Sequence, residues 1–127
     1  MLSMNMGQQW RLLMSVIPVD PEQLSKFIDK SKIFDTTRQL MIGYLTNWYN
    51  DDAETFVENM WADLSTVLEH YQFRNKFVSI TKNFNFDPPM DTVSCTICIT
   101  DEEGDSCARY NAIFDFQLNA IDDYMRG

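Results

Sequence analysis

The rhythm of hydrophobic and polar positions changes near residue 74. Before it, apolar side chains recur at steps of three and four residues; after it, they alternate with polar ones. The first rhythm predicts helices and the second predicts strands. The expected fold class is therefore α+β, with N-terminal helices packed on one face of a C-terminal antiparallel sheet of three to four strands.

Residues 10–19 form a short apolar run, compatible by period with strand or helix, which we place as strand. Asp20-Pro21-Glu22-Gln23 reads as a helix start: Asp20 as N-cap, Pro21 at the first helical position, Gln23 reaching back as in a capping box. Val19 and Leu24 sit where a hydrophobic staple would, and Leu24, Phe27 and Ile28 share a face of a helix over 21–31. Asp35 or Thr36 is placed to cap a second helix, whose Leu40, Met41, Tyr44, Leu45 and Trp48 run to Asn50. Gly43 inside it suggests close packing. Asp51, with Glu54 three residues on, restarts the chain into a helix reaching about Gln72. Its stripe of Phe56, Val57, Met60, Trp61, Leu64, Val67, Leu68 and Tyr71 holds for five turns.

In the second half, Val78, Ile80, Phe84 and Phe86 alternate with Ser79, Thr81, Asn83 and Asn85, the pattern of a half-buried strand. Asp87-Pro88-Pro89 ends it. Val93, Cys95, Ile97 and Ile99 alternate with Thr92, Ser94, Thr96 and Thr100 in a second strand. Residues 101–105, Asp-Glu-Glu-Gly-Asp, form a hairpin turn into a third, with Ala108, Tyr110, Ala112, Phe114 and Phe116 on one face. A short last strand is expected over 120–125.

Length fits one domain, 1–127, and the 45% hydrophobic, 13% aromatic composition is that of a chain that folds. No apolar run is long enough for a bilayer span and the start lacks a basic signal-peptide region, which, with three unpaired cysteines, reads as cytoplasmic. The net charge of −9 disfavours direct binding to nucleic acid or acidic membrane and favours a basic partner. Charge is also segregated: residues 39–73 hold six acids and neither Lys nor Arg.

Candidate chemistry is sparse. Cys95 and Cys98 have C-x-x-C spacing, with Cys107 and His70 as conceivable further ligands, but on a strand an odd separation points the two thiols to opposite faces. No metal site or cofactor is expected. His70 ends a helix, where an imidazolium meets the helix dipole, and no nucleophile or acid partners it in sequence. Residues 101–105 lack the spaced ligands of a calcium loop. Asp115, Asp122 and Asp123 place carboxylates near a sheet edge, where they also discourage edge pairing. Glu54, Glu58 and Glu69, spaced i, i+4 and i+15, would share one face of a continuous helix, repelling one another slightly.

Two segments carry a family resemblance. Residues 44–56, Tyr-Leu-Thr-Asn-Trp-Tyr-Asn-Asp-Asp-Ala-Glu-Thr-Phe, resemble the early helix-turn-helix of the ketosteroid-isomerase-like cone fold, and residues 114–124, Phe-Asp-Phe-Gln-Leu-Asn-Ala-Ile-Asp-Asp-Tyr, resemble its closing hairpin. Between them that family places a further strand and helix where this chain runs helix into Arg74. The resemblance implies helices cradling a curved sheet around a pocket, and transfers no catalytic residue.

The residues thus point to a non-enzymatic, acidic protein-binding module of inhibitor, antagonist or immunity type, bacterial or phage-borne. It would dock Asp51, Asp52, Glu54, Glu58, Glu69, Glu102 and Glu103 on a basic protein surface. The alternative is a cone-fold domain binding or transforming a small apolar molecule, with Tyr44, Trp48, Trp61, Tyr110 and Phe114 as lining. A homodimer through the open sheet face is a third arrangement.

Overall fold

The computed structural model describes residues 19–127, so the apolar run 10–19 lies outside them except for its last residue. Two compact units divide between Ser31 and Lys32. The described part of the first is helix α1, Pro21–Ser31. Its cap is the expected one: Asp20 accepts the Glu22 N–H at 3.0 Å, and Leu24 N–H bonds to the Asp20 carbonyl at 2.9 Å, but the Gln23 side chain makes no return bond to close a capping box.

The second unit runs α2 (Ile33–Asp51), α3 (Ala53–Met60), α4 (Leu64–His70), β1 (Gln72–Asn83), β2 (Met90–Thr100), β3 (Ser106–Phe114) and β4 (Ala120–Arg126). The strands form one antiparallel sheet in the order β1-β2-β3-β4. Helices precede sheet, as the change of period requires.

Helix α2 begins earlier than its polar residues suggest. Lys32, in the left-handed region, precedes it with no side-chain cap, and Ile33, Thr37, Met41 and Leu45 form its buried stripe at four-residue steps. Thr37 is tolerated in the core because its hydroxyl donates to the Ile33 carbonyl at 2.7 Å. At the other end the cap is Asp52, not Asp51. Asp52 accepts the Thr55 N–H at 3.1 Å and the Thr55 hydroxyl at 2.7 Å, while Asp51 is the last residue of α2. Gly43 corrects another expectation. A Cβ built on it meets nothing within 4 Å, so this glycine faces open space, not a packed neighbour.

The continuous helix expected over 51–72 is two helices. Trp61 turns left-handed (φ 63°), its N–H closing α3 on the Val57 carbonyl, and Asp63 starts α4 by accepting the Thr66 N–H at 2.9 Å. The apolar spacing continues across this break, but burial does not. Phe56, Met60 and Val67 are buried, whereas Trp61 is 60% exposed. The Tyr71 hydroxyl pins the pair by donating to the Met60 carbonyl at 2.5 Å.

Helix α2 packs on β2 and β3, and α3 on β3. Val93, Cys95, Ile97 and Ile99 meet them from β2, and Ala108, Tyr110, Ala112 and Phe114 from β3, as the alternation predicts. Edge-on contacts of Trp48 and Tyr49 with Phe56, at 5.0 and 5.2 Å between ring centres, seat α3 against α2.

Two strand expectations fail. Ile80 pairs with Val93 yet is exposed, because the helices cover the middle strands and leave edge strand β1 largely bare; Phe84 and Phe86 lie in the β1–β2 connection, also exposed. Conversely, Thr92, Thr96 and Thr100, on the face away from the helices, are buried. There the Thr96 hydroxyl donates to Asn111 Oδ1 at 2.7 Å, in a cross-strand row that Phe77 and Tyr124 flank.

Candidate functional site: a cleft beside the edge strand

Strand β4 continues the sheet beyond the packed part of α2, and the space left there is a half-open cleft of about 750 Å³. That volume lies within the range of small-molecule sites. Its helical wall is a second stripe of α2, Leu40, Tyr44 and Trp48, one position removed from the buried Met41 and Leu45. Gly43, lacking a side chain, widens the wall. Met60 and Asn59 at the end of α3 contribute from a third side, and Ala108, Asp123 and Met125 form the sheet side.

Polar groups converge on this apolar frame. Asp51 ends α2, where unpaired carbonyls already carry partial negative charge. Asp123 pairs with Ala112, which turns its carboxylate to the helix side of the sheet, and its Oδ2 accepts the Tyr110 hydroxyl at 2.6 Å. Burial, then this hydrogen bond and the charge behind it, push the Tyr110 phenol well above its ordinary range. The Tyr44 ring stands edge-on to Tyr110 at 5.7 Å. Gln39, Asn47 and Asn59 supply amides, and no Lys, Arg or His lines the cleft among the described residues.

Of the aromatic residues expected at a pocket, Tyr44 and Trp48 line the cleft. Tyr110 is buried behind the Tyr44 ring and Asp123, Phe114 is buried farther along β3 outside the lining, and Trp61 is at the α3–α4 break. The sequence marks Asp123 only as an edge carboxylate. Its pairing with Tyr110 depends on β3–β4 register, which local pattern does not reveal.

The predicted acidic docking set is dispersed. Glu54 and Glu58 are exposed on α3, Glu69 on α4 beyond the Trp61 break, and Asp51 belongs to the cleft. Asp52 is occupied with capping, and its bonds from the Thr55 hydroxyl and N–H hold its carboxyl below the usual range. Glu102 and Glu103 project from a hairpin turn that Asp101 organises by accepting the Glu103 and Asp105 N–H groups, each at 2.9 Å. That inward use of Asp101 leaves a turn, not a cation loop. Asp115 likewise closes the β3–β4 turn on the Gln117 and Asn119 N–H groups, and Asp122 faces away from the helices with Ile113.

The cysteines point as the strand period requires: Cys95 is buried against the helices, Cys98 is half-buried on the other face, and all three thiols are free. Among the described residues no group of three or more His, Cys, Asp or Glu could hold a metal ion. His70 is exposed, with Nε2 3.9 Å from the Glu69 carboxylate.

Arg74, Cys98, Arg109 and Arg126 stand in one row across all four strands on the face away from the helices. None of the three arginines forms an ion pair among the described residues; Arg126 lies over the Tyr124 ring at 5.1 Å. The three guanidiniums thus share the face opposite the cleft, whereas Asp123 lies on the cleft side.

No helix among the described residues is long and apolar enough to cross a membrane. The chain matches no protein-family model, and comparison with curated proteins and with solved structures returned no match.

Proposed function

We propose that this chain is a small-molecule-binding domain and that the cleft between α2 and β4 is its site. The observation that carries this reading is the juxtaposition of a 750 Å³ space with aromatic walls and a hydrogen-bonded Tyr110–Asp123 pair at its margin. Concave apolar surface with a few converging polar groups is how proteins hold small ligands. The resemblance to the cone fold, where helices and sheet enclose a pocket, agrees with it. The activity proposed is binding.

The test is a thermal-shift screen on the full chain, followed by a blocking variant. A ligand that binds the folded state raises its melting temperature. Gly43→Trp should abolish the shift, since its side chain would occupy the cleft from a position where a Cβ meets no neighbour. Hits that bind Gly43→Trp equally well would place binding elsewhere.

A second reading, docking to a basic protein surface, is supported by Glu54 and Glu58, which are exposed and make no ion pair among the described residues. The exposed Trp61 beside them is a residue type that anchors interfaces. Reversing Glu54, Glu58 and Glu69 to Lys should abolish salt-sensitive partner capture on this reading, and capture indifferent to the reversal would remove it.

A further inference from the structure

We infer that the ligand class of the cleft is a small organic cation, an ammonium group carried on an apolar body. The inference rests on the cleft reading above and deepens it. Every formally charged side chain in the lining is a carboxylate, Asp51 from one wall and Asp123 from another, with no Lys, Arg or His among the described lining residues to neutralise them. Asp51 stands at the end of a nineteen-residue helix, where its charge adds to the negative pole of the backbone. Asp123 takes one hydrogen bond from Tyr110 at Oδ2, and its other oxygen is given no partner by any described side chain.

The neutral lining selects in the same direction. Tyr44 and Trp48 bring π-systems to the space, and an ammonium positioned over such a face is attracted to it, more strongly as water is excluded. Gln39, Asn47 and Asn59 can turn amide oxygens toward N–H donors. Leu40, Met60 and Met125 give an apolar body somewhere to lie. An anionic ligand would meet two carboxylates and a helix C-terminus. A neutral ligand would leave that field unused. The acidic charge of the whole chain further raises the local concentration of cations around a cleft lined with carboxylates.

The experiment compares isosteric pairs by thermal shift and calorimetric titration of the full chain: choline against 3,3-dimethylbutan-1-ol, and benzylammonium against benzyl alcohol. The cation of each pair is expected to bind at least about tenfold more tightly, the loss to be expected when a carboxylate contact is removed. Asp51→Asn and Asp123→Asn should each reduce cation affinity about tenfold, the second retaining an acceptor for Tyr110. Asp122→Asn makes the same charge change one residue away on the opposite face and should leave affinity unchanged. If neutral and cationic partners bind equally and Gly43→Trp abolishes both, the cation inference is wrong while the cleft reading stands. If Asp122→Asn weakens cation binding as much as Asp123→Asn, attraction is diffuse and the inference falls. If cations bind Gly43→Trp undiminished, or no member of either pair binds, both the inference and the site assignment fail for these ligands.

Discussion

Tyr110 of β3 donates its hydroxyl to Asp123 of β4 at 2.6 Å, joining the most deeply buried tyrosine of the sheet to a carboxylate on its edge strand. Replacing Tyr110 by Phe removes the bond but keeps the ring. A loss of about 1.5–3 kcal/mol is expected in denaturant unfolding, the net worth of a hydrogen bond to a charged group. Because folding raises the phenol's ionisation point, its contribution is complete below the unfolded value near roughly 10 and is lost as pH rises through the folded one. The alkaline decline of stability should therefore be shallower in Tyr110→Phe, measured as melting temperature from pH 8 to 12.

On the acid side the sign reverses. Asp52, Asp63 and Asp115 are all held below the ordinary aspartate value, by bonds from Thr55, Thr66 and the Asn119 backbone respectively. Their stabilisation is present above the unfolded value of about 3.9 and disappears as pH falls through the lower folded values. The melting temperature should drop across that window. Asp63→Asn, which still caps α4 but does not titrate, should flatten the drop; an unchanged acid limb would show the cap to be irrelevant.

Gly43→Ala should stabilise the chain by about 0.5–1 kcal/mol, the helix-propensity difference between the two residues, because the added methyl meets no neighbour. Chemical denaturation of the two proteins checks this. A destabilised variant would mean that the cleft wall at α2 is closed in solution.

The helices and strands were legible in the sequence to different depths. In β2 and β3 the alternation names most of the buried set, because helices cover that face evenly: Val93, Cys95, Ile97 and Ile99 on one strand, Ala108, Tyr110, Ala112 and Phe114 on the next, while Phe116, expected with them, is exposed in the β3–β4 turn. Residues 51–72 misled because Phe56, Met60, Leu64 and Val67 keep helical spacing through a break that only Trp61's backbone reveals; the available signal was Asp63 three residues before Thr66, a second cap. The cleft was half visible. The sequence marks Tyr44 and Trp48 as lining, but it marks Gly43 as a packing residue, and Asp123 is joined to Tyr110 only by the register of the last hairpin.

Arg109 and Arg126 face each other across β3 and β4, with Arg74 two strands away in the same row. Directly opposed like charges weaken a strand pair. Arg109→Glu should raise stability by about 0.5 kcal/mol at low salt, and the gain should shrink as salt screens it. A loss, or a gain indifferent to salt, would show that the arginines are compensated by something other than water.

The three thiols should differ in reactivity. Cys98 is half-buried on the outer face, whereas Cys95 and Cys107 are buried, and burial pushes both of those thiols above their ordinary range. Less thiolate and less access both slow alkylation. Brief native treatment with iodoacetamide should modify Cys98 first by mass spectrometry, the other two requiring denaturant; early labelling of Cys95 would contradict the packing of α2 on β2.

From Thr92 to Thr100 the chain runs nine residues without a charge, six of them Thr, Val or Ile, a composition prone to self-association once bared. In the native sheet this segment is interior, and the strands at the margins carry the deterrents: Arg74, Lys76 and Lys82 on one side, Asp122, Asp123 and Arg126 on the other. Peeling away β1 would expose this adhesive segment, so the charged border strand serves as a gatekeeper against aggregation as well as a limit of the sheet.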